Sequence, residues 1–127
     1  MTVPDKRILI IDEAGFSRIC TAILEFQGFG VETIADMDYL LSSLNNGKIG
    51  LAIISYPFGA DMIDEIRKRE IPTIILSDHI NRDLINILEF FGNCYCMLKP
   101  LNYQKFRSLV GRIMDSGMVI KGEYNIV

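Results

Sequence analysis

The 127-residue sequence predicts one α/β domain, built as a doubly wound, five-stranded parallel sheet with helices on both faces. Three observations support this fold class. Short apolar runs alternate with longer segments of helical periodicity, most units end in a Gly, Pro or Asn signal, and five units fit into about 115 residues. That length is too short for an eight-fold barrel, whereas right-handed crossovers place helices on both faces of an open sheet.

The first β/α unit is predicted from an apolar run and a helix that stops at glycine. Residues 7–11 (RILII) form the strand, and the helix after it ends at Gly28. Helical spacing places Ile19, Ile23 and Phe26 on one face, which we expect to be buried.

The other four units follow the same logic. Residues 30–34 (GVETI) alternate in polarity and predict the second strand, and the apolar stripe of the next helix is Met37, Leu40, Leu41 and Leu44. The remaining predicted strands are 51–54, 72–76 and about 95–98. The remaining predicted helices cover about 61–69, 81 to about 91, and 102 onward. Asn81 and Asn102 are the predicted caps of the last two helices. The buried stripe of the last helix is predicted to be Phe106, Leu109, Val110 and Ile113. We assign residues 1–115 to the domain and 116–127 to a C-terminal extension, either an extra strand or hairpin or the start of a linker.

Composition narrows the function classes. The net charge of −3 gives no reason to expect nucleic acid or an anionic membrane as a partner. No apolar stretch approaches the roughly 20 residues that span a bilayer, and the N-terminus lacks a signal-peptide core, so we expect a cytoplasmic protein. The three cysteines lack metal-ligand spacing and are expected to be reduced core residues.

Polar residues collect at the predicted carboxyl ends of the strands. Asp12 and Glu13 follow the first strand, Ser55 the third, Ser77 the fourth and Lys99 the fifth. Because parallel strands open on a single edge, these side chains are expected to converge there, where α/β proteins bind ligands.

These motifs make the chain similar to a response-regulator receiver domain of two-component signalling, which has a flavodoxin-like fold. The resemblance covers about residues 6–115 and is carried by RILIIDE at 7–13, IILS at 74–77 and GNCYCMLKP at 92–100. It implies the fold predicted above and a role in phosphorelay signal transduction. It also implies a cis peptide between Lys99 and Pro100.

The resemblance assigns a role to each residue of the edge. Asp12 and Glu13 would take the magnesium positions, Ser77 the hydroxyl that follows the phosphoryl group, and Lys99 the amine that pairs with phosphate. Two positions depart from the family pattern: Ser55 stands where the phosphoacceptor aspartate is expected, and Cys96 stands where the aromatic switch residue is expected. The chain therefore resembles a degenerate receiver, or pseudo-receiver.

The loss of the acceptor carboxylate changes what the edge can bind. Asp12 and Glu13 with a loop carbonyl would hold magnesium only weakly, since Mg²⁺ prefers several oxygen ligands. We expect instead that Lys99 pairs with Asp12 or Glu13 and donates to Ser55. No cofactor is then required.

We expect a non-enzymatic module that binds a protein, either a signalling protein or a fused output domain, independently of phosphorylation. The resemblance points to the surface of helix four, strand five and helix five as the binding surface, and by analogy to a homodimer through that surface.

One alternative is a receiver that is still switched by phosphate or metal at the Asp12, Glu13 and Ser55 edge. Another is a small hydrolase with Ser55 as nucleophile, but Ile53 and Pro57 replace the glycines of a nucleophile elbow and His79 is the only histidine available as base. A nucleotide-binding module is disfavoured because no glycine-rich phosphate loop follows the first strand.

Overall fold

The computed structural model describes residues 6–116 and 124–127, which form one parallel sheet flanked by helices. The strand order is β2-β1-β3-β4-β5-β6, and all neighbouring strands are parallel. The strands are β1 (Arg7–Ile11), β2 (Val31–Thr33), β3 (Ile49–Ser55), β4 (Thr73–Ser77), β5 (Cys94–Leu98) and β6 (Tyr124–Ile126). The helices are α1 (Ala14–Phe26), α2 (Met37–Asn45), α3 (Ile63–Lys68), α4 (Arg82–Phe91) and α5 (Tyr103–Ser116), with a short 3₁₀ turn at Ala60–Met62 before α3.

This architecture confirms the predicted fold class and corrects the number of strands from five to six. The extra strand, β6, pairs with β5 and lies in the segment that the sequence left open as strand, hairpin or linker. Its three residues are too few for alternation to identify a strand. The rest of that segment, residues 117–123, lies outside the described residues.

The sheet separates two apolar layers because side chains alternate along each strand. One layer packs against α2, α3 and α4 and contains Cys94 and Cys96. The other packs against α1 and α5 and contains Tyr95 and Phe106. Cys96 and Tyr95 therefore face opposite sides of the sheet, as their positions in the sequence predict.

The predicted buried face of α1 is wrong. Phe26 is 93% exposed and Ile19 is 50% exposed, whereas Cys20 and Leu24 are fully buried. The segment carries apolar residues on two neighbouring stripes, and periodicity alone does not tell which stripe the sheet covers.

The predicted helix caps are confirmed. The Asn81 side chain accepts a hydrogen bond from the Leu84 backbone N–H at 2.8 Å, and the Asn102 side chain accepts one from the Lys105 N–H at 3.0 Å. These bonds satisfy N–H groups that have no partner within their helices. Among the described helices, none is long and apolar enough to cross a membrane.

Candidate functional site

The candidate site lies at the carboxyl edge of the sheet, where the ends of β1, β3 and β5 meet. The parallel register aligns these ends: Ile11 lies opposite Ile54, and Ser55 lies opposite Leu76. The Lys99 backbone N–H donates to the Ser77 carbonyl at 2.8 Å, which fixes the turn after β5 against β4. Residues that are 87 positions apart in the sequence are thereby brought into contact.

Lys99 connects the two other residues at the centre of this edge. Its Nζ lies 3.0 Å from Asp12 Oδ2 and 3.4 Å from Oδ1, and it also donates to Ser55 Oγ at 3.0 Å. These are the contacts that the sequence analysis expected for Lys99. One ammonium group therefore holds the ends of β1 and β3 together.

Asp12 is a buried carboxylate whose charge is balanced inside the chain. Its side chain is 1% exposed, against 19% for that of Lys99. Besides the ion pair, Asp12 Oδ1 accepts a hydrogen bond from the Glu13 backbone N–H at 2.7 Å. Burying a carboxylate is costly unless a partner charge and hydrogen bonds compensate for the lost water, and Lys99 and the Glu13 amide supply both.

Glu13 does not join this cluster. It is exposed, and its contribution to the edge is the backbone N–H rather than the carboxylate. The acidic pair of the sequence therefore becomes one buried and one solvated carboxyl group.

Phe16 is a member of the site that the sequence analysis missed. The Lys99 ammonium group lies 4.2 Å from the centre of its ring, which is within the range of a cation–π interaction. Its position in the first turn of α1, one helical turn after Asp12, is the only sequence signal that pointed toward this edge.

The side chains of Ser77 and Cys96 lie outside the contacts of the Lys99 ammonium group. The Ser77 hydroxyl donates to the carbonyl of His79 at 2.9 Å, within its own loop. Cys96 is fully buried in the layer beside α4. The His79 ring lies 3.1 Å from the Asn81 side chain, and within the described part of the chain the Ser55 hydroxyl contacts Lys99 rather than His79.

The loop after Ser55 is packed closely onto the sheet. The Gly59 N–H donates to the Ser55 carbonyl at 2.8 Å. A Cβ at Gly59 would lie 2.7 Å from methyl groups of both Ile11 and Ile54, so the loop can approach the sheet only with glycine there. The Lys99–Pro100 peptide is cis, as the resemblance implied, and so is the Tyr56–Pro57 peptide in this loop.

The donor set does not fit a tight magnesium site. The described residues contain no group of three His, Cys, Asp or Glu side chains placed to hold a metal. The one buried carboxylate, that of Asp12, already accepts from Lys99 and from the Glu13 amide, and Ser55 offers a neutral hydroxyl. Mg²⁺ is usually held by one or two carboxylates, and the other carboxylate at this edge, that of Glu13, is exposed and lies outside the Lys99 cluster.

The three cysteines are buried thiols. Burial raises the pKa of Cys94 to about 12 and that of Cys96 to about 11. Burial also raises the pKa of Cys20 to about 12, and the nearby Asp12 charge adds to this rise. All three are therefore protonated and weakly nucleophilic at neutral pH.

Comparisons with known proteins find this fold but no close sequence relative. No protein-family profile matches the chain, and no curated protein matches it in sequence. A response regulator receiver domain protein (CheY-like) from Methanospirillum hungatei is similar in structure, with a TM-score of 0.73 and 23% identity over 87% of this chain and 94% of that one.

Two further solved structures extend this similarity. A two-component response regulator from Clostridium difficile has a TM-score of 0.76 and 19% identity, covering 88% of this chain and 98% of its own. NtrX from Brucella abortus, solved in complex with ATP, has a TM-score of 0.74 and 23% identity over 87% of this chain, but the match covers only 26% of NtrX. The chain therefore has the CheY-like fold of response-regulator receiver domains.

Proposed function

We propose that this chain is a degenerate receiver that acts as a protein-interaction module in phosphorelay signalling, without being switched by phosphorylation. The observation that carries this proposal is the position of Lys99. Its ammonium group lies between Asp12 and Ser55, where an acceptor carboxylate and its metal would need free anionic oxygens. The cluster of Asp12, Lys99 and Ser55 is thus already charge-balanced and hydrogen-bonded.

The chemistry of Ser55 supports this reading. Phosphoryl transfer to an oxygen nucleophile needs an anion or a hydroxyl next to a base. In the described residues the one side-chain contact of Ser55 Oγ is with Lys99, a proton donor, and the buried carboxylate of Asp12 is paired with the same lysine. The same contacts support the proposal of a non-enzymatic role, since a serine hydrolase needs a base on its nucleophile and His79 bonds with Asn81 instead.

The surroundings of Ser77 and Cys96 favour a domain with one conformation. The Ser77 hydroxyl is satisfied within its own loop, and Cys96 has no large side chain that would move between an inner and an outer position. We therefore propose that the chain functions by binding a partner at its surface. Its partner in the cytoplasm would be a signalling protein or a fused output domain, bound at the surface of α4, β5 and α5.

The test is incubation with acetyl phosphate and magnesium, followed by intact mass measurement. We expect no phosphate adduct on the wild-type chain. The matched control is Ser55→Asp, which adds a carboxylate beside Asp12 and Lys99 and is expected both to bind magnesium and to take up phosphate. An adduct on the wild type that disappears in Ser55→Ala would contradict the proposal and would favour a receiver that is still switched by phosphate.

A further inference from the structure

The outer edge of β5 is occupied by the last residues of the same chain. Cys94, Tyr95 and Cys96 lie opposite Tyr124, Asn125 and Ile126 in a parallel ladder. The Val127 N–H extends this ladder by donating to the Cys96 carbonyl at 2.9 Å. β6 also packs against α4. The surface of α4, β5 and α5 therefore carries a resident strand.

The register determines which side chains the strand covers. Opposite residues of neighbouring strands project to the same side of the sheet. Tyr124 therefore lies beside Cys94 and Ile126 beside Cys96, on the α4 side, whereas Asn125 lies on the α5 side with Tyr95. Tyr124 packs against the apolar layer that contains both thiols, and the half-exposed Ile126 lies beside Cys96.

The resident strand occupies only part of the available edge. β5 has five residues, and the ladder with β6 pairs three of them. Ile126 is 42% exposed and Val127 is 51% exposed, so this strand buries little apolar surface. A short, half-exposed edge strand belongs to the parts of a protein that detach locally at low cost.

A small cavity lies where a different strand would make further contacts. It has a volume of about 230 Å³ and is lined by Met97, Lys105, Leu109, Arg112 and Val127. The charged groups of Lys105 and Arg112 make no ion pair with any residue in 6–116 or 124–127. An acidic side chain at the position of Val127 would meet two unpaired cations there.

We propose that the outer edge of β5 is a docking site for an extended peptide segment of a partner protein, and that β6 is its exchangeable resident. The segment adds as a parallel strand, with an aromatic residue beside Cys94, a β-branched residue beside Cys96 and an acidic residue next in sequence. Backbone hydrogen bonds supply affinity, and the alternate side chains supply specificity. This inference rests on the proposed function, because it specifies how a partner would use the same surface.

The first experiment detaches β6 in the 127-residue chain and measures thiol labelling by iodoacetamide with peptide mapping. The variant Tyr124→Ser/Ile126→Ser is expected to label Cys94 and Cys96 at least about tenfold faster than the wild type, because it removes the apolar cover. Asn125→Ser, on the other side of the same strand, is the matched control and is expected to label at the wild-type rate. Cys20, in the opposite layer, is the internal control for global unfolding.

The second experiment adds a fluorescent peptide with the sequence Gly-Glu-Tyr-Asn-Ile-Glu to the same proteins. The double serine variant is expected to bind it about tenfold more tightly than the wild type, in which the tethered strand competes, and binding is expected to slow labelling of Cys94 and Cys96. A peptide ending in lysine is expected to bind more weakly, since Lys105 and Arg112 would repel it. If the double variant does not fold, Ile126→Val provides the milder test, with labelling of Cys96 expected to rise about threefold.

Three outcomes would overturn the inference. Unchanged labelling of Cys94 and Cys96 would show that β6 does not cover the edge, and equal acceleration at Cys20 would assign the effect to unfolding. A double variant that labels rapidly but forms a concentration-dependent dimer rather than binding the peptide would make a second copy of the chain the occupant. None of these results depends on phosphate uptake, so the proposed function and this inference fail separately.

Discussion

Replacement of Lys99 by methionine tests whether its ammonium group stabilises the fold by balancing Asp12. At the observed 3.0 Å between Nζ and Oδ2, an effective dielectric constant of about 20 gives an attraction of about 5.5 kcal/mol before desolvation is subtracted. Removing one partner of a buried pair typically costs roughly 3–5 kcal/mol. Because Lys99 is partly exposed and Asp12 keeps the Glu13 amide, we expect Lys99→Met to lower the free energy of unfolding by about 2–3 kcal/mol.

Urea denaturation at pH 7 of four proteins measures this effect: the wild type, Lys99→Met, Asp12→Asn and the double variant. The double variant is expected to be more stable than the sum of the single changes predicts, by at least about 1 kcal/mol, because no uncompensated charge is left. Additive changes, or a Lys99→Met variant within about 0.5 kcal/mol of the wild type, would refute the reasoning.

Three other predictions follow from burial, capping and ionisation. Leu24 is buried and Phe26 is exposed, so Leu24→Ala is expected to lower the free energy of unfolding by about 2–5 kcal/mol and Phe26→Ser by about 0.5 kcal/mol or less. Urea denaturation measures both values, and equal losses would contradict the observed orientation of α1. Asn81→Ala is expected to lower stability by about 1 kcal/mol through loss of the α4 cap, with the exposed Asn86→Ala as control and a Tm scan as the measurement. Burial raises the pKa of the cysteines from the ordinary value of 9.0 to about 11 to 12, so they keep their protons to higher pH in the folded chain than in the unfolded one. The free energy of unfolding is therefore expected to fall above pH 9, by up to about 1.4 kcal/mol per pH unit for each thiol. A triple Cys→Ala variant whose unfolding free energy fell equally steeply with pH would argue against this cause.

The convergence of Asp12, Ser55 and Lys99 was predictable because topology alone determines it. Once the strands are recognised as parallel, their carboxyl ends share an edge, and the residue after each strand is placed without knowledge of any side-chain contact. The caps at Asn81 and Asn102 were predictable for a similar reason, since the bonds they make are local in sequence.

The orientation of α1 and the position of Phe16 were not predictable from the sequence. Cys20 and Leu24 are buried instead of Ile19 and Phe26 because of how the helix sits on the sheet, and that contact is long-range. The ring of Phe16 contacts Lys99 across the edge of the sheet. These residues are far apart in the sequence, and helical periodicity does not predict contacts between such residues. The different surroundings of Asp12 and Glu13 have the same origin: neighbouring residues at the end of a strand point in different directions, and only packing decides which one is buried.

The contact between Lys99 and Asp12 also determines how this edge responds to its solution. An ion taken from solvent occupies a site according to its concentration, so the state of such a site follows the supply of that ion. The ammonium group of Lys99 belongs to the chain, and its local concentration beside Asp12 is set by the fold. The proposed function therefore predicts that chelators and changes in divalent-cation level leave the charge balance of this edge unchanged, and that any signal carried by the domain follows the abundance and location of its partners.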